Sequence, residues 1–343
     1  LTAGQDIAKA HTVQVDVKTT SSDFAAAGLV TRRPRIGLAL GGGSARGWAH
    51  IGVIRELEAR GIDIDVYAGT SIGAVVGACA AAGRLDALEA FACELNRRRV
   101  FALMDISFAG SALIGGARLK RRLARELGGL SIEALPATFG AVATEFGSGR
   151  EVCLTRGDVI EALRASYALP GIFEPRFVDG RWLFDGAMSN PVPVSLCRTL
   201  GADVVIAVNL TSDFGEAPAD MAPAQVTVAP PVVSAGIAKA RSPRSRGRFR
   251  RAPFIRRRVL ARRPNGAPGI ASVMVDAFSV AQERISRSRL AIEPPDVLIN
   301  ARLSSVGLFD FHRAAELIAY GRNAAVRALP QLELALQALD AEP

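Results

Sequence analysis

Histidine is scarce in this chain, with three in 343 residues: His11, His50 and His312. His11 lies in the N-terminal tail, His50 one helical turn beyond a glycine run, and His312 at the start of a helical pattern. His50 reads as a residue that holds the loop or packs and His312 as a helix-end residue, so a base for a serine nucleophile is not expected among them. Cysteine is nearly as rare. Cys79, Cys93, Cys153 and Cys197 are far apart with no C-x-x-C pair, which excludes a disulfide framework and a zinc site. Their apolar contexts read as buried thiols in a reducing compartment. Aromatics make up 6% of residues against 49% hydrophobic overall, so Ala, Leu, Val and Ile must build the core. No apolar run is long enough to span a bilayer; the longest, 72–83, is rich in Ala and Gly and reads as a buried helix. The N-terminus lacks a basic region followed by an apolar core. A cytoplasmic protein, peripheral at membranes at most, is the expectation.

What is present begins with charge. The formal balance is +9, but it is not spread evenly. The segment 239–263, "KARSPRSRGRFRRAPFIRRRVLARR", holds one Lys and eleven Arg and no acid, +12, leaving 9 − 12 = −3 for the rest. It sits within a Pro-, Ala- and Arg-rich stretch, 213–268, that shows no sustained period and reads as a flexible insertion. Such a segment suits anionic phospholipid headgroups or, by the same phosphate attraction, nucleic acid. With only Phe249 and Phe254 to stack on bases, nucleic acid is the weaker partner. A solvated insertion with no single partner explains the same composition.

The ordered remainder alternates strand and helix. "RIGLAL" is a buried strand, "GGGSARG" a turn, and "WAHIGVIRELEARG" an amphipathic helix closed by Gly61; "IDVYAG" is the next strand. Two strands joined by a helix predict a parallel βαβ unit. "ATFGAVATEF" and "EVCLT" predict a strand pair, "RFVDGRWLF" a hairpin turning at Asp179-Gly180, and "ADVVIAVNL" and "PPDVLINARL" two further strands. The last forty residues predict one or two amphipathic helices. The organisation expected is an N-terminal extension, 1–34, partly disordered; one α/β domain, 35–325, interrupted by 213–268; and a C-terminal helix or tail, 326–343.

Three short pieces carry chemistry. Gly69-Thr70-Ser71-Ile72-Gly73 follows a strand and opens an apolar helix. A serine nucleophile needs that strained strand-to-helix elbow, with glycines where side chains would not fit. A plain helix cap by Thr70 or Ser71 is the other explanation. Gly41-Gly42-Gly43-Ser44-Ala45-Arg46-Gly47 fails the G-x-G-x-x-G register from either Gly41 or Gly42, and no G-K-[ST] follows, so dinucleotide and Walker loops are disfavoured. A cradle of bare amides remains, with Arg46 open to a lipid phosphate or to a structural pairing. Asp185-Gly186-Ala187 follows the strand "RWLF". With histidines so few, an aspartate base in direct contact with Ser71 is expected. Asp185 suits that role better than Asp179, whose D-G pair is ordinary hairpin chemistry.

In this order the three motifs resemble the patatin-like phospholipase family, in the short bacterial branch related to the catalytic domain of neuropathy target esterase. "ASYALPGIFEP", "DGAMSNPVPV" and "GLFDFHRAAELIAYG" support the likeness, which covers 35–212 and 268–325. The resemblance implies a three-layer α/β/α fold with a mostly parallel central sheet. It implies hydrolysis of phospholipid, lysophospholipid or related esters through an acyl-enzyme, with neither metal nor organic cofactor. Carried over by position, Ser71 is the nucleophile, Asp185 its base, and the amides of Gly42, Gly43 and Ser44 the oxyanion hole. Gly41, Arg46, Gly47, Gly69, Gly73, Gly186 and Ala187 complete the motifs. Ser44 and Ala187 stand where many family members have glycine. A weak hydrolase site in a binding protein recruited by 239–263 is the competing expectation.

Overall fold

The continuously apolar runs of the sequence become the centre of one sheet. In the computed structural model, which describes residues 33–103, 116–211, 270–301, 303 and 305–340, β1 (Ile36–Leu40), β2 (Val66–Thr70) and β7 (Val204–Asn209) are buried along their length. Strands covered on both faces have no polar side to show, which is why their sequences do not alternate. The chain separates into Leu1–Arg33 and Pro34–Pro343. Of the first unit only Arg33 is described. The expected insertion 213–268, His11, and residues 104–115 also lie outside the described residues.

β1 pairs in parallel with β2 and β7, β2 with β3 (Thr138–Glu145), and β7 with β8 (Val297–Asn300). The remaining pairings are antiparallel: β4 (Glu151–Leu154) and β6 (Arg181–Asp185) on β3, and β5 (Arg176–Val178) on β6. The β5–β6 hairpin turns at Asp179-Gly180, both with positive φ (47° and 77°), the geometry of a primed two-residue turn.

Helices cover both faces. Leu38, Leu40, Ile206 and Val208 point to one side, into a core shared with α1 (Ala49–Ala59), α2 (Ile72–Ala81) and α9 (Ala314–Asp340). Ala39, Val205 and Ala207 point to the other, against Val194, Leu196 and Cys197 of α7 (Val194–Thr199), with Leu290 of α8 (Ile270–Ile292) partly buried beside them. Alternation within single strands thus sorts large residues to one side and small ones to the other. Cutting Leu38 or Ile51, both fully buried, to Ala would cost about 2–5 kcal/mol. On the large-residue side, α3 (Leu85–Cys93), α4 (Arg97–Leu103), α5 (Ala117–Leu127) and α6 (Val159–Ser166) add an outer wall.

One feature of register positions the site. Val142 of β3 pairs with Thr70 of β2 on one side and Cys153 of β4 on the other; Ala143 pairs with Val152 of β4 and Asp185 of β6. Since β4 takes one edge at both residues, β2 and β6 must share the opposite edge. They run towards each other along β3, and their C-terminal ends meet there.

Two expectations need correcting. Cys79 and Cys197 are buried, but Cys93 and Cys153 are exposed: Cys93 ends α3 on its solvent side, and Cys153 lies on β4, which pairs only with β3 among the described strands. The boundary at 325/326 falls inside α9, where Leu329 and Leu332 are buried. No helix among the described residues is long and apolar enough to cross a membrane.

Candidate active site

At the C-terminal end of β2 the chain makes a sharp elbow. Ser71 has φ 56° and ψ −121°, a strained backbone for a residue with a side chain. The flanking glycines make this possible. A Cβ on Gly73 would lie 2.1 Å from the Leu40 carbonyl oxygen, and one on Gly69 2.4 Å from the Ala74 backbone. The elbow is held by its amide, since Ser71 N–H donates to Ser166 Oγ (2.9 Å). The Ser71 hydroxyl makes no cap to α2 and Thr70 Oγ1 donates to Asn190 O (2.8 Å), so neither side chain caps the helix. The N-terminus of α2 instead lies behind the serine, where its dipole favours negative charge.

The hydroxyl has another partner: Ser71 Oγ donates to Asp185 Oδ2 at 2.7 Å. Asp185 is 1% exposed, and its other oxygen, Oδ1, accepts the Ala187 N–H at 2.9 Å. Burial pushes the Asp185 carboxyl up to about 7, against the opposing pull of the Ser71 and Ala187 hydrogen bonds. A carboxylate poised near neutrality is a far better proton acceptor than an exposed one. Thr144 Oγ1 donates to the Asp185 carbonyl (2.9 Å) and bonds to Ser189 Oγ (2.8 Å), fixing the strand end. Gly186 is required next to it, because a Cβ there would lie 2.3 Å from Val142 O.

The glycine loop lies beside the pair. Gly41 N–H donates to Val208 O and Gly42 N–H to Pro191 O (3.1 and 3.0 Å). The Gly42 amide therefore differs from expectation: it is already engaged and is not a free oxyanion donor. The N–H groups of Gly43 and Ser44 have no acceptor among the described residues, and both residues line the cleft with Ser71 and Asp185. Ser44 has φ 53°, in the left-handed region that favours glycine. Gly47 lets Ile72 pass close by.

Arg46 is 3% exposed and donates twice to Val306 O, at 2.9 and 2.7 Å. It straps the loop to the C-terminal segment. His50 is buried, its Nε2 2.7 Å from Gly41 O, and burial pulls its pKa down to about 4; it is a neutral loop holder. His312 accepts from Arg97 Nε (3.3 Å). Asp179 stays in its hairpin turn.

Above the pair opens an apolar cleft. Val75, Leu88, Phe91, Leu103, Leu123 and Phe173 are among its walls. Leu103 is the last residue of α4. The sequence did not point to Leu88, Leu119, Leu123 or Gln282, because α3, α5 and α8 carry no motif. Among the described residues no group of three His, Cys, Asp or Glu is placed to hold a metal ion.

Comparison with known proteins identifies the family. The patatin-like phospholipase family model matches residues 38–198. An NTE family protein of Mycobacterium tuberculosis is 36% identical over 336 residues, covering 88% of this chain and 93% of its own. The chain belongs to the NTE family of patatin-like phospholipases. Membership of this family places it among lipid hydrolases with a patatin fold, a mixed α/β architecture on a mostly parallel sheet. The lysophospholipase NTE1 of Pyricularia oryzae is 35% identical over 183 residues, 52% of this chain but 12% of that protein. Among solved structures, VipD from Legionella pneumophila aligns with a TM-score of 0.36 at 16% identity, over 53% of this chain and 51% of that one.

Proposed function

We propose that this family member is a serine acyl hydrolase that cleaves carboxylic esters of phospholipids or lysophospholipids through a Ser71–Asp185 dyad. The observation that carries the reading is the 2.7 Å hydrogen bond from Ser71 Oγ to Asp185 Oδ2 on the wall of an apolar cleft. In the first step Ser71 Oγ attacks the ester carbonyl carbon and its proton passes to Asp185. The carbonyl π pair moves onto oxygen, where the Gly43 and Ser44 N–H groups stabilise it. Collapse expels the alcohol, protonated by Asp185, and leaves an acyl-serine. Water, deprotonated by the same carboxylate, releases the fatty acid and restores Ser71.

A phosphate-bearing substrate is supported by a second groove, lined by Arg99, Arg118, Arg122 and Arg125 together with Glu94, that shares Phe91, Leu95 and Leu103 with the cleft; Arg99 there pairs with Glu94 and Arg122 with Glu126. The segment 239–263 is a further proposed contact with an anionic surface, and liposome hydrolysis with and without anionic lipid tests both. Recruitment to nucleic acid has no such support.

The deciding experiment is fluorophosphonate labelling with mass-spectrometric site mapping. Wild type is expected to be modified at Ser71, and Ser71→Ala to lose esterase activity by at least about 10⁴-fold. An unlabelled wild type, or a Ser71→Ala variant with full activity, rejects the reading.

A further inference from the structure

The cleft contains a hydrogen-bond donor that the dyad scheme leaves unused. Gln282 lies on α8, outside the 38–198 stretch matched by the family model, and is 2% exposed. Its Nε2 is buried with no hydrogen-bond partner. Leaving such a group unsatisfied is destabilising, and native structures rarely keep one without a use. Other polar groups on the same buried face of α8 have local partners: Ser279 Oγ donates to Val275 O (2.8 Å) and Glu283 pairs with Arg287. Ser286 Oγ is unpartnered too, but it does not line the cleft, whereas Gln282 does.

The place of this amide is specific. A Cβ built on Gly42 would lie 2.8 Å from Gln282 Nε2 and 3.5 Å from Ala187 Cβ. The Gln282 amide therefore lies against Gly42, the neighbour in chain of the residues with open amides, and Ala187 of the Asp185 motif approaches the same position. Gly42 has neither a side chain to displace it nor a free N–H to do its work, since the Gly42 amide is spent on Pro191 O.

We propose that Gln282 supplies the third oxyanion donor, its Nε2–H bonding to the substrate's acyl carbonyl oxygen beside the Gly43 and Ser44 N–H groups. The inference rests on the serine hydrolase reading above. No proton leaves Gln282. As Ser71 Oγ bonds to the acyl carbon, the π pair of the carbonyl localises on oxygen, and the Gln282 hydrogen bond strengthens with that charge. When the tetrahedral intermediate collapses, the pair returns to form the carbonyl and the alcohol departs with the proton held by Asp185. α8 would thus complete the site from a part of the chain distant from every motif. The glycine loop supplies backbone donors and α8 a side-chain donor, so the two must keep their relative position for turnover.

The test uses the full-length protein with Gln282→Met, which keeps length and removes both donor hydrogens, and Gln282→Glu, which keeps shape and replaces the amide NH₂ with oxygen. A short-chain p-nitrophenyl ester gives kcat and KM, fluorophosphonate gives the acylation rate, and thermal melting gives stability. Gln282→Met is expected to lower kcat about 10²-fold and slow fluorophosphonate labelling in parallel. KM should stay within about threefold, and Tm should equal or exceed that of wild type. Gln282→Glu should lose at least as much kcat.

A folded Gln282→Met with wild-type kcat overturns the proposal. So does a kcat loss that follows a lowered Tm, or failure of both variants to fold, since either assigns Gln282 to packing. These outcomes are distinct from failure of the hydrolase reading. In that case wild type itself goes unlabelled at Ser71, whatever the Gln282 variants do.

Discussion

The two walls of the cleft are built on different principles. One is made by the glycine loop, the Ser71 elbow and the Asp185 turn. Its polar atoms are fixed by main chain: strand register on β3 brings β2 and β6 end to end, and backbone or local hydrogen bonds lock Ser71 and Asp185 in place. The other wall is made by helices α3 and α5. It presents side chains, Leu88, Phe91, Leu119 and Leu123, whose positions depend on how the helices pack. A backbone-built wall tolerates little change and fixes a reaction. A side-chain wall can vary and sets what the reaction accepts.

The strongest way to break this comparison is at the carboxylate proposed as the base. Asp185→Asn keeps shape and burial but removes the proposed proton acceptor, so kcat/KM is expected to fall about 10⁴-fold. An Asn variant retaining a tenth of the activity would show that the base lies elsewhere and that the register argument has selected the wrong carboxylate.

The contrast between walls also decides what the sequence could disclose. The elbow glycines, the strand before Ser71 and the Asp-Gly pair after β6 are local patterns, and each was legible because a backbone constraint leaves a residue-type signature. The meeting of Ser71 and Asp185, 114 positions apart, has no local pattern behind it; it was expected from the shortage of histidines, the Asp-Gly pair after β6 and the family resemblance. The engagement of the Gly42 amide by Pro191 O had no local sign, since it depends on a chain segment about 150 residues away. Helix α8 escaped notice for a different reason. Its buried face includes Ser279, Gln282 and Ser286, so the apolar period that betrays a packed helix is interrupted by polar residues. The cysteines at 93 and 153 were misread because apolar neighbours in sequence do not decide which side of a helix or edge strand a residue takes.

A smaller effect sharpens the same carboxylate by pH. With Asp185 pushed up to about 7 by burial, kcat/KM for an uncharged short-chain ester should fall about tenfold per pH unit below that value. The stability effect has the opposite sense. A carboxyl raised in the folded state holds its proton more tightly there than in the unfolded chain. That stabilisation is complete below about pH 4 and is lost as pH rises towards 7. Asp185→Asn cannot ionise, so its advantage over wild type should open between pH 4 and 7 and reach on the order of 4 kcal/mol above it. Denaturant melts at pH 4 and pH 8 measure this directly; an equal gap at both would place the carboxyl at an ordinary value and remove the poised base.

The smallest expected effect concerns Arg46, which sits in the motif wall but faces away from the chemistry. Its guanidinium donates twice to Val306 O and is 3% exposed, so a lipid phosphate has no route to it without breaking that strap. The Ala45 N–H bond to Leu308 O (3.0 Å) ties the same loop to the same segment. Arg46→Met retains the aliphatic stem and should cost about 1–3 kcal/mol of stability through the unpaired carbonyl. KM for an anionic lysophospholipid and for a neutral short-chain ester should change by the same factor. A selective rise in KM for the anionic substrate would make Arg46 a headgroup anchor. It would also show that the backbone-built wall reads the substrate as well as cleaving it.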